Sequence, residues 1–290
     1  MIEISGHTRL TGLLGSPVAH SISPMMHNEA FRRLGLDFVY LAFDVKKPQL
    51  AAALEGLKAL GVRGFNLTMP LKSAMAQLAD ELSPAARLCG AVNTIVNDNG
   101  VLKGYTTDGT GYMRAAARAG HPLPGKVMTL LGAGGAATAI LVQGALDGMK
   151  EIRVFNRKSP TYEKAEALAA QLCAKTSCRV TLHDLNDTDA LGESLQTSDI
   201  LTNATNIGMA PDIDSCPIAD ETMLPPGLVV SDIIYNPRET KLMRLAKSRG
   251  CEAFNGLYML LYQGAESFRL WTGMDMPVDI IREKMTYREE

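Results

Sequence analysis

Apolar positions in this chain change rhythm partway along. Up to about residue 105, short apolar runs alternate with helical spacing. Leu10–Gly15, Phe38–Phe43 and Gly64–Leu67 read as strands, and helices are predicted at Pro24–Leu34, Pro48–Leu60 and roughly Lys72–Glu81. The runs 93–97 and 101–105 flank Asp98-Asn99-Gly100, and Asn-Gly between two such runs signals a hairpin. With Asn99-Gly100 as its loop, residue 98 pairs with 101 and Asn93 falls opposite Thr106, close to Asp108. From about Lys126 strands are predicted at Val127–Leu131, Glu151–Phe155, Arg179–His183, Asp199–Asn203, Leu228–Asp232 and Glu252–Phe254, with helices between several of them. Strand–helix alternation of this kind predicts a doubly wound parallel sheet. Leu257–Trp271 is one long, mostly apolar helix, predicted to leave the second domain and pack back on the first.

The 290 residues are long enough for two domains, and 46% apolar content gives a core that needs no staples. A net charge of -2 argues against a nucleic-acid or acidic membrane partner. No run reaches the roughly 18 apolar residues of a membrane span, and residues 1–5 lack the basic start of a signal peptide. Five scattered cysteines form neither a disulfide framework nor a zinc pattern, so no metal is expected and the compartment is read as cytoplasmic.

Gly132-Ala133-Gly134-Gly135-Ala136-Ala137 directly follows an apolar strand and opens a helix. Glycines there allow a tight turn and close approach of a pyrophosphate to the helix N-terminal N–H groups, the pattern of a dinucleotide site. The ribose is read at the end of the next strand, where Asn156-Arg157-Lys158-Ser159 offers two cations and no acid. That suits a 2′-phosphate, and so NADP ahead of NAD, with dual use left open. Ser159-Pro160 also reads as a cap followed by a first-position proline.

Ser21-Ile22-Ser23-Pro24 starts a helix; Ser23 reads as its N-cap, and two hydroxyls at a helix start also suit a carboxylate. In Asn66-Leu67-Thr68-Met69-Pro70-Leu71-Lys72, the lysine falls in a first helical turn, where a cation opposes the helix dipole and suits proton exchange. A plain surface lysine is the alternative. Asp108 reads either as a helix cap or, with Asn93 alongside, as a grip on a substrate hydroxyl.

In their order along the chain these segments resemble the shikimate dehydrogenase family, and most closely its quinate/shikimate branch. The shared motifs are Ser21-Ile22-Ser23-Pro24, the Asn66–Lys72 segment, Ala91-Val92-Asn93-Thr94, Thr107-Asp108 with Gly111, the glycine turn, Asn156-Arg157, Tyr235, Gly256 and Gln263. The resemblance implies an α/β substrate-binding domain (1–107, completed by 257–290) and an inserted Rossmann domain (108–256), with the active site in the cleft between. It implies Lys72 and Asp108 as the catalytic pair, with Ser21 and Ser23 on the substrate carboxylate. Thr68, Asn93, Tyr235 and Gln263 complete the substrate shell. Gly132, Ala133, Gly134, Gly135, Ala136, Asn156, Arg157, Lys158, Ser159, Ile233 and Gly256 hold NAD or NADP. It further implies a cytoplasmic enzyme of the chorismate route to aromatic amino acids, and admits a homodimer. The chain departs from the family pattern at Thr106, Tyr258 and Lys158-Ser159.

Two other readings compete. A methylenetetrahydrofolate dehydrogenase shares the two-domain plan and a lysine, but does not need the Ser-x-Ser-Pro carboxylate site. A non-catalytic shikimate or quinate sensor would be free to lose the lysine–aspartate pair, which this chain keeps.

Overall fold

A computed structural model describes residues 4–286, which divide into two compact units. One runs to Thr107 and resumes at Leu261; the other is Asp108–Leu260. The first unit contains β1 (Arg9–Gly15), α1 (Ser23–Arg33), β2 (Phe38–Asp44), α2 (Leu50–Ala59), β3 (Gly64–Leu67), α3 (Lys72–Met75) and β4 (Glu81–Leu82). It continues with α4 (Pro84–Cys89), β5 (Thr94–Asp98) and β6 (Val101–Tyr105). Its sheet has the order β2-β1-β3-β5-β6-β4, parallel across β2, β1 and β3 and antiparallel from β3 to β5 to β6. Asp98 pairs with Val101, and Asn99 (φ 53°) and Gly100 (φ 93°) turn the hairpin in the left-handed region, as Asn-Gly predicts.

Two predicted local features differ. α3 is a single turn instead of a helix to Glu81, because the chain after it is captured by β6. Asp80 N–H donates to Leu102 O, and Leu102 N–H donates to the Asp80 carboxylate (2.7 Å). The strand β4 then pairs with β6, and α4 follows, capped by Ser83, whose Oγ accepts from Ala86 N–H (3.2 Å). At α1 the helix includes Ser23, so Ser23 is not its cap; Ser21 Oγ accepts the Ser23 N–H instead (3.2 Å).

The second unit runs through α5 (Asp108–Arg118), β7 (Val127–Leu131), α6 (Gly135–Leu146), β8 (Glu151–Asn156), α7 (Pro160–Lys175), β9 (Arg179–Asp184) and α8 (Thr188–Gln196). It ends with β10 (Ile200–Asn203), β11 (Val229–Asp232), α9 (Lys241–Ser248) and β12 (Glu252–Phe254). All six strands are parallel in the order β12-β11-β10-β7-β8-β9. The order reverses between β7 and β10, the place where open α/β sheets take their ligands at the strands' carboxyl ends. The strand β7 is buried at every position and apolar but for Thr129, whose hydroxyl meets Ser194 Oγ (2.7 Å) and Ser198 Oγ (2.8 Å), as expected of a parallel sheet covered on both faces.

Two helices close the chain, α10 (Leu257–Thr272) and α11 (Val278–Thr286). The part of α10 from Leu261 on belongs to the first unit and plants Trp271 in its core. Trp271 Nε1 donates to Ile95 O (2.9 Å) over Gly64, where a Cβ would lie 2.3 Å from Nε1 and 2.4 Å from Ile95 O. Neither obstacle is a flexible side-chain end, so Gly64→Ala is expected to lower unfolding free energy by about 2–3 kcal/mol, read by urea titration. A change below about 0.5 kcal/mol would show that Trp271 can retreat. The helix α11 is tied down by Lys284, which reaches buried Glu29 on α1 (2.6 Å). Arg32, Arg33 and Lys284 together hold the Glu29 carboxyl well below the usual range, with the Arg32 hydrogen bond leading. Among the described residues no helix is long and apolar enough to cross a membrane, and no cluster of His, Cys, Asp and Glu could hold a metal.

Candidate active site

In the first unit, Asn93 sits in a buried polar network with Tyr40, Asn66, Thr94, Thr107 and Ser267. Tyr40 on β2 donates its hydroxyl to Asn66 Oδ1 (2.8 Å). Asn66 Nδ2 shares its two protons among Asn93 O (3.1 Å), Thr94 Oγ1 (3.0 Å) and Ser267 Oγ (3.0 Å). Ser267, on α10, donates to Gln263 O (3.0 Å) one helical turn back. Asn93 reaches across the base of the hairpin. Its Oδ1 accepts Thr107 N–H (2.9 Å) and its Nδ2 donates to Thr107 Oγ1 (3.0 Å), one residue before Asp108. Asn66, Asn93, Thr94, Thr107 and Ser267 are all buried, so each amide and hydroxyl must find a partner, and the network fixes their orientation.

Lys72 opens α3, and its carbonyl accepts Val92 N–H (3.0 Å), which fastens the lysine beside the residue preceding Asn93. Thr68 lies over Gly15, where a Cβ would come within 2.2 Å of the threonine methyl. Ser21 and Ser23 are partly exposed at the start of α1. Beneath this network His27 is buried in an aromatic box, stacked on Tyr40 at 4.4 Å with Trp271 at 5.2 Å. Neither of its ring nitrogens has a hydrogen-bond partner among the described residues, and burial pushes its pKa down to about 3.

In the second unit the glycine turn has the predicted division of labour. Gly132 has φ +100°, a conformation glycine takes at little cost, and packs against Ala204 O and Thr205. Gly134 and Gly135 are exposed, with nothing within 4 Å of where a Cβ would stand, and Ala137 is fully buried against the sheet. No side chain caps α6, so its first N–H groups face the space above Gly134 and Gly135. Ala133 and Ala136 complete the turn.

At the end of β8, Arg157, Lys158 and Ser159 are exposed. Pro160 is the first residue of α7 as predicted, but Ser159 makes no cap and bonds Thr161 Oγ1 instead (2.8 Å). Asn156 Nδ2 closes the segment on Arg157 O (3.0 Å) and Thr161 Oγ1 (3.2 Å). Ile233 and Gly256 lie together: a Cβ on Gly256 would fall 1.8 Å from Ile233 O, so only glycine fits. Tyr235, two residues on, is about half exposed. Tyr258, a departure from the family pattern, carries the Arg118 guanidinium over its ring (5.6 Å).

The motifs point to most of these residues but not to Tyr40 or Ser267, which join the network through contacts far apart in sequence, while Thr107 falls inside a motif that gives it no role. Asn66 was quoted in its motif without a role, although an asparagine inside an otherwise buried strand is itself a signal. The buried pair Asn203 and Asp232, at the ends of β10 and β11, was also missed.

The second unit, with its open glycine turn at the switch of a six-stranded parallel sheet, is of the Rossmann dinucleotide-binding class. Residues 13–95 match the shikimate dehydrogenase substrate binding domain, and residues 256–286 match the shikimate 5′-dehydrogenase C-terminal domain. A shikimate dehydrogenase (NADP(+)) of Listeria monocytogenes serotype 4b is 51% identical over 97% of each chain. A quinate/shikimate dehydrogenase of Escherichia coli O139:H28 is 47% identical over 99% of each. The crystal structure of Listeria monocytogenes shikimate 5-dehydrogenase in complex with shikimate and NAD superposes with a TM-score of 0.95, at 51% identity, over 97% of this chain and 98% of that one. The chain belongs to the shikimate dehydrogenase family.

Proposed function

We propose that the protein catalyses the reversible, NAD(P)-dependent reduction of 3-dehydroshikimate to shikimate, of 3-dehydroquinate to quinate, or of both. The observation that carries this reading is the fastening of the Lys72 backbone to Val92, which fixes a lysine beside the residue preceding Asn93 in a chain of this family. In the proposed reaction Lys72 gives a proton to the oxygen of the ring carbonyl as it is reduced and takes it back in the reverse direction. Asp108 accepts a hydrogen bond from the same hydroxyl. Ser21 and Ser23 donate to the ring carboxylate, and Thr68, Asn93, Tyr235 and Gln263 hold the ring. The first unit is thus the substrate-binding domain, and the second holds the dinucleotide.

The residues present fit that cofactor. Gly134 and Gly135 leave the cradle that a pyrophosphate needs, at uncapped N–H groups of a twelve-residue helix. Gly132, Ala133, Gly134, Gly135 and Ala136 would hold it there, Asn156, Arg157, Lys158 and Ser159 would take the adenosine ribose, and Ile233 and Gly256 the far end. When bound, the nicotinamide supplies the hydride-transfer chemistry. A cytosolic location is part of the proposal, supported by five free cysteines.

The test is a steady-state assay of shikimate and quinate, each with NAD and NADP. Turnover of neither acid with either cofactor would end the reading. Arg157 and Lys158 are exposed, so their contribution is modest, and the expected preference for NADP is on the order of tenfold in kcat/KM. Arg157→Ala is expected to remove most of that preference while leaving NAD activity within about twofold. Equal loss with both cofactors would show that Arg157 does not read a 2′-phosphate.

A further inference from the structure

Asp232, the last residue of β11, is fully buried and is paired with no cation among the described residues. Its carboxylate is held by hydrogen bonds alone. Asn203 Nδ2 lies 3.2 Å from both oxygens, Ile234 N–H donates to one (3.1 Å), and Thr240 Oγ1 donates to the other (2.8 Å). A charge taken out of water without a counter-ion is costly, and burial pushes this carboxyl above its ordinary range. Packing alone would be better served by an apolar side chain.

What the carboxylate organises is the edge of the sheet where the dinucleotide is proposed to sit. On one side it fixes the turn after β11: Ile234 N–H points to Asp232, Ile233 N–H donates to Asn203 O (3.1 Å), and Gly256 N–H donates to Ile234 O (3.1 Å). On the other side Asn203, oriented by Asp232, shapes the loop after β10. Its Oδ1 accepts Thr205 N–H (3.1 Å) and Thr205 Oγ1 (2.7 Å), and Nδ2 reaches Ile207 O (3.3 Å). That loop backs the glycine turn, since a Cβ on Gly132 would meet Ala204 O at 3.0 Å and Thr205 at 3.1 Å. One buried carboxylate–amide pair therefore braces both the glycine turn and the Ile233–Gly256 contact.

We infer that Asp232 and Asn203 are positioning residues for the dinucleotide site, a role that rests on the functional reading above. In Asp232→Asn three donors face a side chain with one acceptor oxygen and an amide of its own. Hydrogen bonds to a charged group are strong enough that the Kd for NADPH, followed by its fluorescence, is expected to rise about tenfold or more. Shikimate affinity, measured by calorimetry on the same full-length variant without cofactor, is expected to stay within about twofold. Adding Asn203→Asp restores the amide–carboxylate pair but leaves Ile207 O without its donor, so NADPH affinity is expected to recover part of the way towards wild type. Unchanged NADPH affinity in Asp232→Asn overturns the inference, as does a loss of both ligands and of Tm that the second substitution does not repair. If Asp232→Asn does not fold, Thr240→Val, which removes one donor, decides: NADPH affinity lowered about three- to tenfold supports the role, and unchanged affinity refutes it. A wild-type protein that binds neither NADPH nor NADH ends the functional reading and this inference together, whereas a binding wild type with an equally binding variant ends only the inference.

Discussion

Replacing Lys72 with alanine is expected to lower kcat at least about a hundredfold, the usual scale for losing a general acid or base, with little change in KM for shikimate. Reduction of a ring ketone leaves an alkoxide that cannot leave the site unprotonated, and oxidation of the alcohol requires the same proton to depart. The candidate set in the first unit otherwise consists of hydroxyls and amides, which orient but do not exchange protons readily near neutral pH. Lys72 is also held in place: Met75 N–H closes α3 on Leu71 O (2.9 Å) and Val92 N–H fixes the lysine's own carbonyl. Small primary amines added to the alanine variant should restore part of the rate, which a purely structural lysine would not allow. Near-normal kcat in Lys72→Ala would remove the proton-transfer role.

Acidification is expected to unfold the protein largely through His27. Burial pushes its folded-state pKa down to about 3 from an ordinary 6.5, because the ring lies among Tyr40, Phe31, Phe268 and Trp271 with no hydrogen-bond partner among the described residues. Between those values the unfolded chain binds a proton that the folded chain refuses. The neutral ring is therefore compatible with full stability above about pH 6.5, and stability is lost as pH falls towards 3. The difference amounts to as much as about 5 kcal/mol at the acid end, a large share of an ordinary domain's stability. Urea titrations of wild type and His27→Phe across this range should diverge, the wild type showing the steeper fall. Parallel pH profiles would mean that the ring finds a proton partner when folded. Glu29 acts in the same direction at lower pH: its carboxyl is depressed, so its stabilising contribution is lost as acid protonates it.

Legibility in the sequence followed how local each cause was. Asn99-Gly100 determines the hairpin, and with it the arrival of Asn93 at Thr107, because two consecutive left-handed residues permit little else. The glycine turn and the apolar strands of the second sheet were readable for the same reason. α3 was overextended because its stop is set by Leu102, far along the chain. Ser23 reads as a cap, but α1 begins one residue earlier than Ser-Pro signals, so Ser23 falls inside the helix and gives its N–H to Ser21 Oγ. α4 was missed although Ser83-Pro84 carries the start signal recognised at Ser23-Pro24 and Ser159-Pro160; only at Ser83 does the serine act as the cap. The Asn203–Asp232 pair leaves no motif, since its members stand 29 residues apart and meet only because β10 and β11 are neighbours.

The first unit leaves off at Thr107 and resumes at Leu261, so during synthesis its sheet emerges long before its last core residues. Until Trp271 arrives, the slot over Gly64 stays open to water and Ile95 O lacks its indole donor. Until Ser267 arrives, Asn66 and Thr94 lack a shared hydroxyl partner. The second unit has no such dependence, being one unbroken stretch of chain. On the ribosome the order of maturation is therefore inverted relative to the order of translation: the inserted domain completes itself first, and the amino-terminal domain is finished by the carboxyl-terminal helices.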